Sequence, residues 1–363
     1  MNTGEMLITA GKGDIYSLLK DHLGLLPNLI SPFAGFFQGD TVPSIHTEEL
    51  KNLAGNPDVV ACIRILAEPV VTYHIRLAGP ATKPGEMHIC SIDHLSFVLA
   101  TTFDNYSYGM QYCATTEYLA GFLSSFLLLN TDNEYEPQFP ATMDLEFFIL
   151  IANTIDAYKY TINRNALAHE AISTLTLTST EFNTLLKNSL LKPDFGWLVT
   201  NIAGLLPSSV ATKLQGSEKN YLDLFENGYL IAVKNNHTGE ESLMLSVVAI
   251  DAGAEFANTW IKSAGIERLC INEKGIETKP LAFFCSTALT NHYFNFSVQD
   301  GMIQYEPLNN TNSKAAISNL FDTHLEIKPV EKPVSTGTPA FCMKCGAKLK
   351  QGARFCPSCG NKL

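Results

Sequence analysis

The feature that most constrains this chain is a pair of cysteine motifs near its C-terminal end. Cys342 and Cys345 form one Cys-x2-Cys pair, Cys356 and Cys359 form a second, and a glycine follows each pair directly. Two intervening residues let one tight turn present both sulfurs to the same ion, and the glycine accepts the positive φ that turns backbone N–H groups toward the thiolates. The spacing predicts a zinc ribbon over residues 341–363, with these four cysteines as the metal ligands.

The same cysteines leave two other interpretations open. They could form disulfides, which suit a secreted chain, or hold a rubredoxin-like iron. The two symmetric motifs favour zinc, and the other five cysteines stand singly inside apolar stretches, where a free thiol behaves as a small buried hydrophobe. A module of this size cannot bury a stable core, so metal binding must supply its folding free energy, about 10 kcal/mol or more.

Charge is distributed unevenly along the chain. Residues 340–363 hold five basic residues and no acidic one, which leaves 20 basic against 36 acidic residues, a formal charge of −16, in the rest. Such a body repels nucleic acid, and only the basic tail could attract it. No basic start followed by an apolar run marks a signal peptide, and the longest apolar windows are too short to span a bilayer. We therefore expect a cytoplasmic protein without membrane insertion.

Two segments of the body resemble each other, which suggests an ancient duplication. Residues 95–112 and 281–298 align without a gap, and residues 24–27 and 204–207 are both Gly-Leu-Leu-Pro. Four positions of the longer alignment are identical: Leu95/Leu281, Phe97/Phe283, Thr101/Thr287 and Asn105/Asn291. We predict that the longer segments form equivalent hairpins around a pseudo-two-fold axis, with both phenylalanines in matching core positions.

The predicted fold class is α/β, of the α+β type. It is a duplicated, pseudo-two-fold body with antiparallel sheets and flanking helices, followed by the small zinc ribbon. The predicted boundaries are a body at 1–325, repeat halves at about 1–130 and 195–325, a helical middle at 142–206, a proline-rich linker at 326–340 and the ribbon at 341–363.

The histidines do not form a recognisable catalytic motif. His88 and His94 flank Cys90 and Asp93, but alternation along a strand sends His88 and Cys90 to one face and Asp93 to the other. Two further histidines in strand patterns are predicted to have ordinary hydrogen-bond partners: His74 and His292. The sequence contains no P-loop, dinucleotide fingerprint, Gly-x-Ser-x-Gly or His-Glu-x-x-His motif, which favours a binding protein over an enzyme.

The order of elements in the body resembles that of a known family. A helix stops at Leu-Ala-x-Pro (66–69), the strand Val-Val-Thr-Tyr-His-Ile-Arg-Leu-Ala-Gly (70–79) follows, and then come a hairpin, a Thr-Thr-Glu helix, a helical middle and a second such half. Over about residues 47–325 this order resembles the EspG-like cytosolic chaperones of type VII secretion systems. The resemblance implies a pseudo-two-fold fold that binds the helical tip of a secretion substrate without catalysis, and it supplies no binding residues.

These observations together predict a non-catalytic cytoplasmic adaptor or chaperone. Residues 1–325 are expected to bind a helical protein partner, which the resemblance implies to be a type VII secretion substrate. The basic ribbon is expected to make a second contact, with an acidic protein or with nucleic acid. The alternative is a nucleic-acid-associated regulator that acts through the basic zinc ribbon.

Overall fold

In the computed structural model the chain divides into two units, Met1–Asp322 and Thr323–Leu363. The structure describes residues 7–37, 47–79, 82–93, 96–102, 107–113, 115–129, 132, 139–169, 175–191, 194, 196–204, 218–234, 241–272, 275–296 and 302–322. All of these residues belong to the first unit. The predicted linker and ribbon lie outside the described residues.

The described helices and strands follow one another in an order that repeats. The first elements are β1 (Leu7–Gly11), α1 (Lys12–Ser17), a π-helical segment (Leu18–Leu23), a 3-10 turn (Ala34–Phe37), α2 (Thr47–Gly55), α3 (Pro57–Ala67), β2 (Val71–Gly79), β3 (Thr82–Ser91), β4 (Phe97–Thr102), β5 (Ser107–Cys113) and α4 (Thr116–Leu127). The chain continues with β6 (Thr142–Asp144), α5 (Leu145–Ala168), β7 (Thr176–Leu177), α6 (Ser179–Leu191), α7 (Leu198–Ala203), α8 (Glu218–Glu226), β8 (Leu230–Lys234), β9 (Glu241–Leu245), α9 (Val247–Thr259), β10 (Trp260–Asn272), β11 (Gly275–Thr287), β12 (Asn291–Phe296), β13 (Met302–Leu308) and α10 (Ser313–Asp322).

Local sequence explains where several of these helices begin. Asn56 precedes α3 and accepts a hydrogen bond from the Asp58 backbone N–H at 3.0 Å, and Pro57 occupies the first helical position. Thr115 caps α4 by accepting from the Tyr118 N–H at 3.1 Å. Asp144 caps α5 in the same way.

Ten of the described strands form one antiparallel sheet. Their order is β1-β5-β4-β3-β2-β10-β11-β12-β13-β6, and a separate small sheet has the order β7-β9-β8. The two halves of the large sheet meet at β2 and β10, which pair from Val71 opposite Cys270 to Ala78 opposite Ser263. Antiparallel pairing of these two central strands is what a two-fold axis perpendicular to the sheet requires.

The strand order shows which elements are equivalent. Each half contains a strand, a helix, a second helix, four antiparallel strands and a final helix. In the first half these are β1, α1, α3, β2 to β5 and α4; in the second they are β6, α5, α9, β10 to β13 and α10. The second half therefore begins at Thr142, so the predicted helical middle (142–206) opens the second half and does not separate the two halves. Within the described residues, the second half has more elements between α5 and α9 than the first half has between α1 and α3.

The predicted pairing of hairpins is wrong by one strand. Residues 95–112 contain β4 and β5, whose equivalents are β12 and β13, whereas residues 281–298 contain part of β11 and β12. Phe97 and Phe283 are both buried, but they belong to apolar clusters on opposite faces of the sheet. Asn105 and residues 205–207 lie outside the described residues. Apolar strands resemble one another in sequence, so a gapless match cannot fix which strands are symmetry mates.

Helices cover the sheet on both faces. Helices α4 and α10 pack together over one face, where Ser124 and Ser313 form a hydrogen bond at 3.0 Å and the Phe321 ring meets Tyr73 edge to face at 4.9 Å. On the opposite face α1, α2 and α3 cover the first half, and α5 and α9 cover the second. Phe148 of α5 is fully buried there. Within the described residues no helix combines the length and apolar character needed to cross a membrane.

Candidate functional sites

The ribbon cysteines are the candidate metal ligands that the sequence predicts. Cys342, Cys345, Cys356 and Cys359 lie outside the described residues, so their identity as ligands rests on their spacing and chemistry. Four thiolates in two Cys-x2-Cys pairs are a donor set that fits tetrahedral zinc. Five other cysteines in the described residues are free: Cys62, Cys90, Cys113, Cys270 and Cys285.

An apolar surface lies at one end of the four central strands. Val71 of β2 is opposite both Ser91 of β3 and Cys270 of β10, so the residues next to these positions share one end of the sheet. These residues are exposed although their side chains are apolar. We name the surface the apolar rim and define it as Leu26, Leu29, Val70, Ile92, Ile271 and Ile276, which are between 40% and 71% exposed.

Backbone pairing and one asparagine hold the apolar rim together. Ile271 and Ile276 are directly opposite in the β10–β11 hairpin, and the Val70 N–H donates to the Ser91 carbonyl at 2.9 Å. Asn28 fixes the segment that carries Leu26 and Leu29: its backbone N–H donates to the Ala67 carbonyl, and its side-chain amide donates to the Pro69 carbonyl at 2.8 Å. The rim is therefore a prearranged surface of six exposed apolar side chains.

A polar cluster lies near the middle of the sheet, on the face that carries α3 and α9. His74 of β2 lies opposite His88 of β3 on one side and Glu267 of β10 on the other. His74 Nδ1 and Glu267 Oε1 are 2.9 Å apart, and Arg76 Nη2 donates to the same oxygen at 2.5 Å. Burial opposes ionisation of Glu267, but the hydrogen bond to His74 and the charge of Arg76 hold the pKa of Glu267 below its usual value.

We name this polar cluster the central cluster and define it as His74, Arg76, Glu86, His88 and Glu267. Its second side brings together three residues of metal-ligating types. The His74 and His88 rings stack with their centroids 4.7 Å apart and their planes within 4°. Burial, with the neighbouring His74, lowers the pKa of His88 to about 3, so its imidazole is neutral. Glu86 is more exposed, and its Oε2 lies 3.8 Å from His74 Nε2. Nitrogen or oxygen donors of His74, Glu86 and His88 all lie within 4.8 Å of one another.

A cavity of about 90 Å³ adjoins the central cluster. Arg76 and Glu86 form part of its wall, together with Asn201 and Ser263, whose side chains hydrogen-bond at 3.1 Å. The cavity is large enough for a few water molecules and too small for a cofactor of ordinary size.

The structure shows which hydrogen-bond partners the histidines in the strands have. His292 has two partners, Tyr305 OH at 3.1 Å and Glu255 at 3.2 Å, which confirms the prediction for this residue. Among the described residues, His74 has a hydrogen-bond partner on Nδ1 and none on Nε2. Cys90 packs in the apolar core beneath α3, with its sulfur 3.5 Å from Thr72 Oγ1. His94 lies outside the described residues.

Two comparisons with known proteins find a match: a family model matches the C-terminal segment, and a solved structure matches most of the chain. Residues 341–363 match the family model of the zinc-ribbon domain. Among solved structures, the chain is similar to EspG5, the type VII secretion system chaperone of Mycobacterium tuberculosis in complex with a PE25–PPE41 dimer. That match has 10% sequence identity and a TM-score of 0.42, and it covers 88% of this chain and 96% of EspG5. A search of curated proteins finds no match.

Sequence reasoning missed the central cluster because its members are far apart in the chain. His74 and Glu267 are separated by 193 positions. The alternation of His74, Arg76, Glu86 and His88 on two adjacent strands could have placed four of the five side chains on one face. The pairing of β2 with β10, which adds Glu267, has no local signal in the sequence.

Proposed function

We propose that this protein is a non-catalytic adaptor or chaperone whose body binds a helical protein partner, and that the zinc ribbon makes a second contact. The observation that carries the proposal is the apolar rim. Exposed apolar side chains that lie singly are normal on a soluble protein, whereas six gathered at one end of a sheet are typical of a protein interaction surface.

The charge of the body supports a protein partner over a polyanion. The chain outside residues 340–363 has a formal charge of −16, so it repels nucleic acid at long range. An amphipathic helix can dock its apolar face on a surface such as the rim, since its own side chains at three- and four-residue spacing present a matching stripe. We further propose that the partner is a type VII secretion substrate in the cytoplasm, as the order of elements in the sequence suggests.

The proposal is tested by changing the rim in the full-length protein. Leu29→Glu combined with Ile276→Glu places two charges in the rim. Leu167→Glu combined with Leu222→Glu is a matched control, because these leucines are 84% and 55% exposed and lie outside the rim. The tagged proteins are expressed in the native cell, and captured partners are identified by mass spectrometry at low salt and at about 0.5 M salt, where exposed ion pairs are strongly screened.

We expect one helical partner to be captured by the wild type and by the control at both salt concentrations, and to be lost from the rim variant. Circular dichroism melting checks that each variant is folded. Equal capture by the rim variant and the control would show that the partner binds elsewhere.

The alternative function is supported by the basic ribbon, which carries five positive residues and no acid. A nucleic-acid-associated regulator would bind nucleic acid through this segment with an affinity that falls steeply as salt rises. Replacing Lys344, Lys348, Lys350 and Arg354 by alanine separates the two functions. If the principal partner is lost from this alanine variant of the ribbon but retained by the rim variant, the proposed adaptor function is wrong and the regulator function is supported.

A further inference from the structure

The central cluster contains a buried histidine ring nitrogen, Nε2 of His74, to which none of the described residues forms a hydrogen bond. Glu267 is a carboxylate that accepts from Arg76, and an ionised carboxylate can only accept, so the proton between it and His74 belongs to His74 Nδ1. In the neutral imidazole the lone pair is then on Nε2. Among the described residues, this buried Nε2 has no hydrogen-bond partner. A buried polar atom without a partner is costly and indicates an unfilled role.

The atoms that face this lone pair are also electron donors. Glu86 Oε2 lies 3.8 Å from His74 Nε2, and a ring nitrogen of His88 completes a set within 4.8 Å. Electron-donor atoms gathered this closely repel one another unless a proton or a cation lies between them. The geometry points to a divalent metal site in which His74 Nε2, Glu86 and His88 are the ligands and Glu267 orients His74.

To bind one ion, the ligand atoms must approach one another and the stacked rings of His74 and His88 must tilt, because each nitrogen lone pair lies in the plane of its own ring. Zinc binds imidazole nitrogen and carboxylate oxygen at about 2.0 to 2.2 Å, so tetrahedral ligands are about 3.4 Å apart. Glu86 is 60% exposed and can rotate toward the ion. The hydrogen bond from His74 to Glu267 is the arrangement by which a carboxylate holds a metal-binding histidine in the correct tautomer and orientation.

The donor set selects the chemical class of the ion. Two imidazoles and one carboxylate suit Zn²⁺ and similar late first-row ions, whereas Mg²⁺ and Ca²⁺ prefer oxygen ligands throughout. Three protein ligands leave a fourth position, and Glu86 borders the cavity of about 90 Å³, from which water or a small anion could reach the ion. This site is independent of the ribbon, whose ligands are all thiolates.

The experiment measures zinc bound to the full-length chain with and without a functional ribbon. Cys342→Ser combined with Cys345→Ser removes two ribbon thiolates and leaves the body unchanged. Zinc is measured by elemental analysis after dialysis against zinc, and the affinity by competition with a chromophoric chelator. Co²⁺ substitution distinguishes the sites, because a thiolate site gives an intense sulfur-to-cobalt absorption that an imidazole and carboxylate site lacks.

We expect two zinc ions per wild-type chain and one in the ribbon variant. Adding Glu86→Gln to the ribbon variant should weaken zinc binding by about tenfold or more, and Glu267→Gln, which changes only the orienting carboxylate, by about 10- to 100-fold. Glu117→Gln and His22→Gln replace exposed residues of the same types and should leave the affinity unchanged.

The proposal is overturned if the ribbon variant binds no zinc, or if it binds zinc equally well with and without Glu86→Gln. In the first case a proton on His74 Nε2, shared with Glu86, accounts for the geometry. Because Glu86 is exposed, its replacement by glutamine is expected to leave the fold intact, and thermal melting of each variant without metal verifies this.

Discussion

Replacing Asp156 by asparagine should change how the stability of this protein depends on pH. Asp156 lies on α5, is 3% exposed, and accepts hydrogen bonds from the Leu198 and Val199 backbone N–H groups at 2.8 and 3.0 Å. These two N–H groups open α7, so the carboxyl group joins two helices of the second half. Burial raises the pKa of Asp156 to about 7, although the two backbone hydrogen bonds and Lys159 oppose the rise.

The sign and size of the effect follow from proton linkage. In the unfolded chain the carboxyl group loses its proton near pH 3.8, whereas in the native state it retains the proton up to about pH 7. Between these values the native state binds one proton more, so raising the pH favours unfolding by about 1.4 kcal/mol per pH unit. The stabilisation is fully present below about pH 4, and about 4 kcal/mol is lost by about pH 8.

Urea denaturation of the wild type and of Asp156→Asn at a series of pH values measures this difference. The free energy of unfolding of the wild type minus that of Asp156→Asn should fall by about 4 kcal/mol between about pH 4 and pH 8. Groups common to both proteins cancel in the subtraction. Asp144→Asn, which replaces the exposed carboxylate that caps α5, controls for the loss of a capping group. Parallel curves for the wild type and Asp156→Asn would show that the two backbone N–H groups keep the carboxyl group ionised, and the reasoning from burial would be refuted.

Three further predictions concern packing and metal. Gly253→Ala should destabilise the body by about 1 to 3 kcal/mol in urea denaturation, because the added methyl group would overlap Tyr158 where α9 crosses α5; unchanged stability would mean that the helices separate easily. Phe321→Ala should lower the free energy of unfolding by about 3 to 5 kcal/mol, because it removes the ring of α10 that packs on Tyr73. A decrease below about 1 kcal/mol would contradict the place of Phe321 in the core. Cys359→Ser should abolish zinc binding by the ribbon without lowering the melting temperature of the body, since the predicted proline-rich linker joins the two; a fall as large as that of Phe321→Ala would contradict this.

Local chemistry is what the sequence alone could determine. The ribbon is encoded by four cysteines within one short segment, and their spacing specifies a metal site without reference to any other part of the chain. The Thr115 cap of α4 is likewise a short-range pattern, since it depends on a hydrogen bond between residues three positions apart. The strand that the sequence indicated at residues 70–79 is confirmed as β2, because a strand pattern depends only on neighbouring residues.

Tertiary structure decided which strands are neighbours and which face each helix covers. Phe97 and Phe283 match in sequence and yet lie on opposite faces, because strand alternation defines two faces without indicating which of them a given helix will bury. The apolar rim likewise depends on four strands that end at the same place. One of its residues, Leu29, lies in a segment that the hydrogen bonds of Asn28 to the Ala67 and Pro69 carbonyls help to hold there. The central cluster forms only when β2 pairs with β10. Burial of apolar side chains under the helices on both faces of the sheet favours this pairing, which joins residues far apart in the chain. The local sequence of either strand therefore does not indicate it.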